Sequence, residues 1–155
     1  MSCERELSAA EGYIELGMYA EAWAQLDELP ASEQDRFETL RMRIDIKMRE
    51  RQWKTALRLS ANFSKLHPTA AYGHIHMAFC LHELGHTAEA KKTLLEGPPS
   101  LLDEPTYYYN LACYESILGN LDQAKAYLRA SFRLDKSFRE MAKLDPDLHA
   151  IRNEI

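Results

Sequence analysis

The chain has little of what catalytic, secreted or nucleic-acid-binding proteins are usually built around. It carries three cysteines, Cys3, Cys80 and Cys113, far apart and with no Cys-x-x-Cys pair. That argues against a disulfide framework or a zinc ribbon and for reduced thiols packed as small apolar groups. There is no surplus of Lys and Arg: the net charge is −5 and the pI near 5.7, which speaks against nucleic acid or an anionic membrane as a general partner. No apolar run comes after Met1-Ser2-Cys3-Glu4-Arg5-Glu6 to make a signal peptide, and no stretch reaches the length of a membrane span, so a cytoplasmic location is expected. Gly-rich phosphate loops of the GxGxxG and GxxxxGK[ST] kinds are missing, as is a GxSxG nucleophile elbow. Alternation of period two never persists beyond a few residues, so no strand is expected.

What the chain does have is a period. Gly17, Arg51, Gly85 and Gly119 stand thirty-four residues apart without insertion, each inside a similar phrase: Leu16-Gly17-Met18-Tyr19-Ala20-Glu21-Ala22, Glu50-Arg51-Gln52-Trp53-Lys54-Thr55-Ala56, Leu84-Gly85-His86-Thr87-Ala88-Glu89-Ala90 and Leu118-Gly119-Asn120-Leu121-Asp122-Gln123-Ala124. A fixed period of this length marks a stack of supersecondary units. Apolar residues at helical spacing flank each turn: Leu7, Ala10 and Ile14 before Gly17, Ala22 and Leu26 after it. Pro30, Pro68 and Gly97-Pro98-Pro99-Ser100 punctuate the hairpins. Ser32, with Asp35 three residues on, is expected to open the third helix, Thr69 to stand near the start of the fifth, and Pro105 to open the seventh. Ser137 to Leu144 reads as one more short helix, and Asp145-Pro146-Asp147 as the capped start of a last one whose Leu148 and Ile151 would cover the end of the stack. Lys91-Lys92 and the cations between Lys125 and Arg133 read as solvated outer faces.

On these residues the chain resembles the tetratricopeptide repeat over residues 3–136, in four copies of about 3–36, 37–70, 71–104 and 105–136, with 137–155 as a helical cap. The resemblance implies an all-α fold, a right-handed superhelix of antiparallel helix pairs. Small residues would sit where helices cross, at Ala10, Ile44, Ala78 and Ala112 in the first helices and Ala22, Ala56, Ala90 and Ala124 in the second. Departures fall at Arg51 in the turn, at Lys47 and Glu115 late in the first helix, and at Ser60 in the second, so the second repeat is expected to pack least regularly.

The resemblance also implies a concave face lined by the first helix of each pair, and a non-catalytic scaffold that grips an unidentified protein or peptide, extended or helical, in that groove. The residues assigned to it are Arg41, Asp45 and Arg49 in the second repeat, then Tyr72, Ile75, Phe79 and His82 in the third and Tyr109 in the fourth. Aromatic anchors in a concavity supply most of the binding energy in such a groove. The clamp that some members of the family use for a C-terminal carboxylate is missing, since Leu7 and Glu11, Met42, Tyr72 and His76 occupy its positions. A chaperone resembling those that hold secretion-system translocators is a narrower alternative, although such proteins carry a helical segment before their repeats. The exposed end of the first repeat is available as a dimer face.

His82-Glu83-Leu84-Gly85-His86 matches HExxH, in which two histidines one helical turn apart hold zinc beside a glutamate base. With His74 and His76 it gathers four histidines within thirteen residues, a set suited to adventitious metal binding. The period places Gly85 and His86 in a turn, which breaks the continuous helix that a metallopeptidase needs. No metal, cofactor or catalytic residue is therefore expected.

Overall fold

The computed structural model describes residues 3–155; Met1 and Ser2 lie outside them. Among the described residues there is no strand, and no helix is long and apolar enough to cross a membrane. The chain divides into two compact units, Met1–Pro68 and Thr69–Ile155. The first holds the antiparallel pairs α1 (Glu4–Glu15) with α2 (Tyr19–Asp27) and α3 (Phe37–Arg49) with α4 (Trp53–Leu66). The second holds α5 (Ala71–Glu83) with α6 (Thr87–Leu95) and α7 (Pro105–Ile117) with α8 (Leu121–Leu134), then α9 (Phe138–Leu144) and a 3-10 segment, Pro146–Glu154.

The four turns are one turn repeated. The amide of Gly17 donates to Ile14 O at 3.0 Å and that of Met18 to Tyr13 O at 2.8 Å. The same pair of bonds recurs at Arg51 and Gln52 (3.0 and 2.9 Å), Gly85 and His86 (2.9 and 2.8 Å), and Gly119 and Asn120 (3.1 and 2.8 Å). This is the Schellman arrangement, which satisfies the last carbonyls of a helix and needs a left-handed residue after its C-cap. Gly17, Gly85 and Gly119 have φ of +75°, +89° and +86°. Arg51 adopts φ +57° without the freedom of glycine. The turn of the second pair keeps the same hydrogen bonds as the others, with a Cβ-bearing residue held in the left-handed region at 51. Its two helices, α3 and α4, pack against each other less closely than those of any other pair, as expected of the second repeat.

All eight positions expected at the helix crossings, Ala10, Ala22, Ile44, Ala56, Ala78, Ala90, Ala112 and Ala124, are 0% exposed. A methyl group at a crossing lets two helices approach at the short end of the usual spacing, so the period in the sequence is a period of close approach. The first unit buries Leu7, Ile14, Leu26, Leu29, Met42 and Ile46 around them. The second buries Leu94, Leu101, Leu111, Tyr114 and Leu128 together with Leu148 and Ile151.

The departures from the repeat are accommodated locally. Lys47 lays its ammonium 4.6 Å from the centre of the Trp23 ring and pairs with Glu50 at 2.9 Å. Ser60 is fully buried, its hydroxyl donating to Ala56 O at 2.7 Å. Glu115 is 3% exposed, and its Oε1 takes Lys91 Nζ at 2.9 Å and Asn120 Nδ2 at 3.1 Å. Lys91 is therefore the partner of a buried carboxylate on the neighbouring helix rather than part of a solvated face.

Two further expectations are corrected. Ser32 does not open α3: Ala31–Glu33 is a 3-10 turn, and the helix begins at Phe37 after an extended Arg36. The side-chain amide of Gln34 draws this segment back by donating to Leu26 O and Leu29 O at the end of α2, and Arg36 pairs with Glu4, Glu33 and Glu38. At the C-terminus Asp145 does cap, its carboxylate accepting the Asp147 amide at 3.0 Å, but the segment it caps is a 3-10 run rather than an α-helix. That run packs chiefly along α7 and also against α8 and α9, and it buries Leu148 and Ile151 in the core of this unit.

Candidate functional site

Of the residues expected to line a groove, five lie in the second unit. On α5, Tyr72, Ile75, Phe79 and His82 are each half-buried. Tyr72 stacks on His76, one turn along, with ring centres 3.9 Å apart, and Ile75 packs against the apolar core of this unit. On α7, Tyr109 is 4% exposed. Between α5 and α7 the chain makes its Gly97-Pro98-Pro99-Ser100 break, and Pro105 then starts α7 in the position proline favours. The three consecutive tyrosines separate onto different sides of α7: Tyr107 is buried, Tyr108 donates its hydroxyl to Leu102 O at 3.0 Å, and Tyr109 turns toward the tail.

The α7 part of this face is occupied by the chain itself. Tyr109 donates its hydroxyl to Asp145 Oδ2 at 2.7 Å, and the Cys113 thiol lies 3.7 Å from the same oxygen. His82 Nε2 meets Asp147 Oδ2 at 2.8 Å, while its Nδ1 is 2.9 Å from the Thr87 hydroxyl. A neutral ring that donates to the carboxylate through Nε2 must accept from Thr87 through Nδ1, which fixes the tautomer. Thr87, at the first position of α6, thus orients His82. The Phe138 ring packs 5.4 Å from that of Tyr109, and Leu148 and Ile151 are 0% and 1% exposed. Burial, reinforced by the Asp145 and Asp147 carboxylates, holds the Cys113 thiol protonated well above its ordinary range. Burial and then the bond to Asp145 raise the Tyr109 phenol likewise.

The remaining three candidates lie in the first unit, where each has an ion partner. Arg41 Nη2 is 3.0 Å from Glu11 Oε2, and Arg49 Nε is 3.0 Å from Asp45 Oδ1, one helical turn away. Asp45 thus neutralises Arg49, and the bond between them raises the guanidinium above its usual value.

The histidines of the HExxH match belong to separate elements. His82 sits in the last turn of α5, which ends at Glu83; Gly85 takes its left-handed conformation next, and His86 is the exposed N-cap of α6. His76 binds the carbonyl of Tyr72 in its own helix, and burial lowers the basicity of His74, whose Nδ1 has no hydrogen-bond partner. The metal-ligand types that do converge among the described residues are Cys113, Asp145 and Asp147, with one ligand atom from each within 4.8 Å of the others. The Oδ2 atoms of both aspartates already serve Tyr109 and His82. Nothing in the spacing of residues 113, 145 and 147 announces the cluster; the Asp-Pro-Asp cap is the one local signal of it.

Comparison with known proteins places the arrangement. The tetratricopeptide-repeat family model matches residues 105–138, the α7–α8 pair and its exit. Two solved structures, MamA RS-1 (an ArsTM double mutant) and MamA MSR-1, have similar folds. The first is 14% identical, with a TM-score of 0.72 over 88% of this chain and 76% of that one. The second is 16% identical, with a TM-score of 0.65 over 88% of this chain and 79% of that one. No curated protein matches the sequence.

Proposed function

We propose that this chain, a member of the tetratricopeptide-repeat family, is a non-catalytic scaffold whose first-helix faces hold peptide segments of other proteins. The observation that carries this reading is the seat of the tail on α7. There one short segment engages two carboxylates, through Tyr109 and His82, and sinks two aliphatic side chains, Leu148 and Ile151. An intramolecular peptide held in this way displays what such a face accepts: polar anchors at defined spacing and apolar side chains between helices. A partner segment would extend along α5, over Tyr72, Ile75 and Phe79. In the first unit the paired Arg41, Asp45 and Arg49 would form the polar rim of a second binding face.

The test uses the full chain with Tyr72→Ala and Phe79→Ala together, and circular dichroism to confirm unchanged helicity. Proteins captured from native extract by the unaltered chain should be lost by the variant. Recovery that the substitutions do not alter would overturn the assignment of this face.

A further inference from the structure

The cations of α8 do more than keep an outer surface wet. Lys125, Leu128, Arg129, Phe132 and Arg133 recur at intervals of three and one along α8, a single stripe of the helix, and Lys136 follows just past its end. Two adjoining hollows open along it, of about 360 and 800 Å³, and both are lined by Arg129, Phe132 and Arg139. Leu128, Ile151 and Ile155 floor the smaller hollow, and Phe132 is the apolar side chain both share. Arg139 reaches in from α9 with its guanidinium carbon 4.9 Å from the centre of the Phe132 ring.

The charges along this trough are uneven. At one end Lys125 is neutralised by Glu154 at 2.8 Å. At the other, Arg129, Arg133, Lys136 and Arg139 form no ion pair with any described residue, and the one acid in the lining, Glu140, is held by Lys143 at 3.0 Å. Four uncompensated cations thus surround an aromatic floor in a chain whose net charge is −5.

We infer that this trough on α8 and α9 docks an acidic peptide segment of a partner protein, with carboxylates set against Arg129, Arg133 and Lys136 and an apolar side chain between them over Phe132 and the Arg139 guanidinium. Arg129 and Arg133 stand one helical turn apart, about 6 Å along α8, with Lys136 just past the helix end, so the cations face only a few extended residues or a turn or two of helix. A long polyanion would meet the repulsion of the acidic chain beyond that length, and a bare phosphate would leave the aromatic floor unused. Guanidinium forks pair bidentately with carboxylates, and a ring beside them accepts an aliphatic or aromatic group. The site is separate from the first-helix faces and does not rest on their assignment.

The experiment is fluorescence anisotropy of a labelled Glu-Glu-Leu-Phe-Glu-Glu peptide with the full chain at low ionic strength. The expected result is saturable binding that weakens at least tenfold in the R133E/K136E double variant of unchanged helicity. Binding should persist in the Tyr72→Ala, Phe79→Ala chain. Equal binding by R133E/K136E would overturn the proposal. So would equal binding of a peptide with serine in place of leucine and phenylalanine, which would reduce the effect to charge alone. Binding of inorganic phosphate or phosphatidylserine vesicles, lost in R133E/K136E and unmatched by the peptide, would reassign the trough and refute it as a peptide dock.

Discussion

Tyr109 and Asp145, thirty-six residues apart, are joined by a 2.7 Å hydrogen bond in which a buried phenol donates to the carboxylate that also caps the last segment of the chain. One carboxylate therefore ends α7's exposure and starts the tail's fold. Asp145→Ala removes both an N-cap and the acceptor of a buried hydroxyl, and it should lower stability by about 2 to 4 kcal/mol. Denaturant unfolding measures the loss, and hydrogen exchange should show it concentrated in residues 146–154. Asp147→Asn, which keeps a side-chain acceptor for His82, should cost less than half as much.

The turn at Arg51 lends itself to a reciprocal test. Arg51→Gly should raise stability by about 1 kcal/mol, since glycine adopts positive φ without the penalty of a Cβ. Gly85→Ala should lower it by about 1 to 2 kcal/mol. The alanine methyl would meet nothing within 4 Å, so that loss is one of backbone conformation and not of collision. Both shifts would appear in the denaturation midpoint with an unchanged slope.

Lys91 and Glu115 make a third case. Lys91→Met leaves the buried Glu115 carboxylate with Asn120 as its remaining partner, and should destabilise by about 3 kcal/mol. Adding Glu115→Leu removes the stranded charge and should restore most of that loss. A double-mutant cycle in thermal unfolding reads the coupling directly.

The pH response has its source in His74. Burial holds its folded-state basicity below the ordinary histidine value, so between that lowered value and about 6.5 the unfolded chain binds more protons than the folded one. Stability should therefore fall as pH drops through about 6.5, while above it His74 is neutral in both states and contributes no slope. His74→Gln should flatten the profile just below about pH 6.5. Asp135, whose carboxyl is lowered by the Ser137 hydroxyl and amide, acts at lower pH: its contribution is present above the ordinary carboxylate range and disappears on acidification below it.

Thiol chemistry separates the three cysteines. Burial, with Glu83 nearby, pushes the Cys80 thiol up to about 12, and Cys113 is raised too, whereas Cys3 is partly exposed. A thiol-disulfide reagent at about pH 8 should titrate one group quickly in the native chain and all three after denaturation.

The parts of the fold that are legible in the sequence are those set by short-range repetition. Alanines at the crossings and the residue after each helix C-cap recur because each pair solves the same packing problem, and they can be read without knowing what lies across from them. The tail is half legible. Asp145-Pro146-Asp147 announces a cap, but the face it meets depends on contacts with His82 and Tyr109, thirty-six and more positions away, for which no local spacing stands. Lys91 misleads for the same reason: a lysine on an amphipathic helix looks solvated until the acid on the next helix is seen. Ser32 fails as a helix start because Gln34 and Arg36 commit their side chains to neighbouring segments, which delays α3 beyond the place its local sequence favours.

Holding the tail on α7 also sets a threshold for any ligand that needs the same ground. If the closed arrangement is favoured by about 2 kcal/mol, the open one is present at roughly one part in thirty, and such a ligand is weakened about thirtyfold. A ligand confined to Tyr72, Ile75 and Phe79 on α5, short of the His82 that Asp147 holds, meets no such threshold. The chain would then sort its callers by how far along the face they reach, admitting short ones freely and long ones only when they bind well enough to lift the occupant.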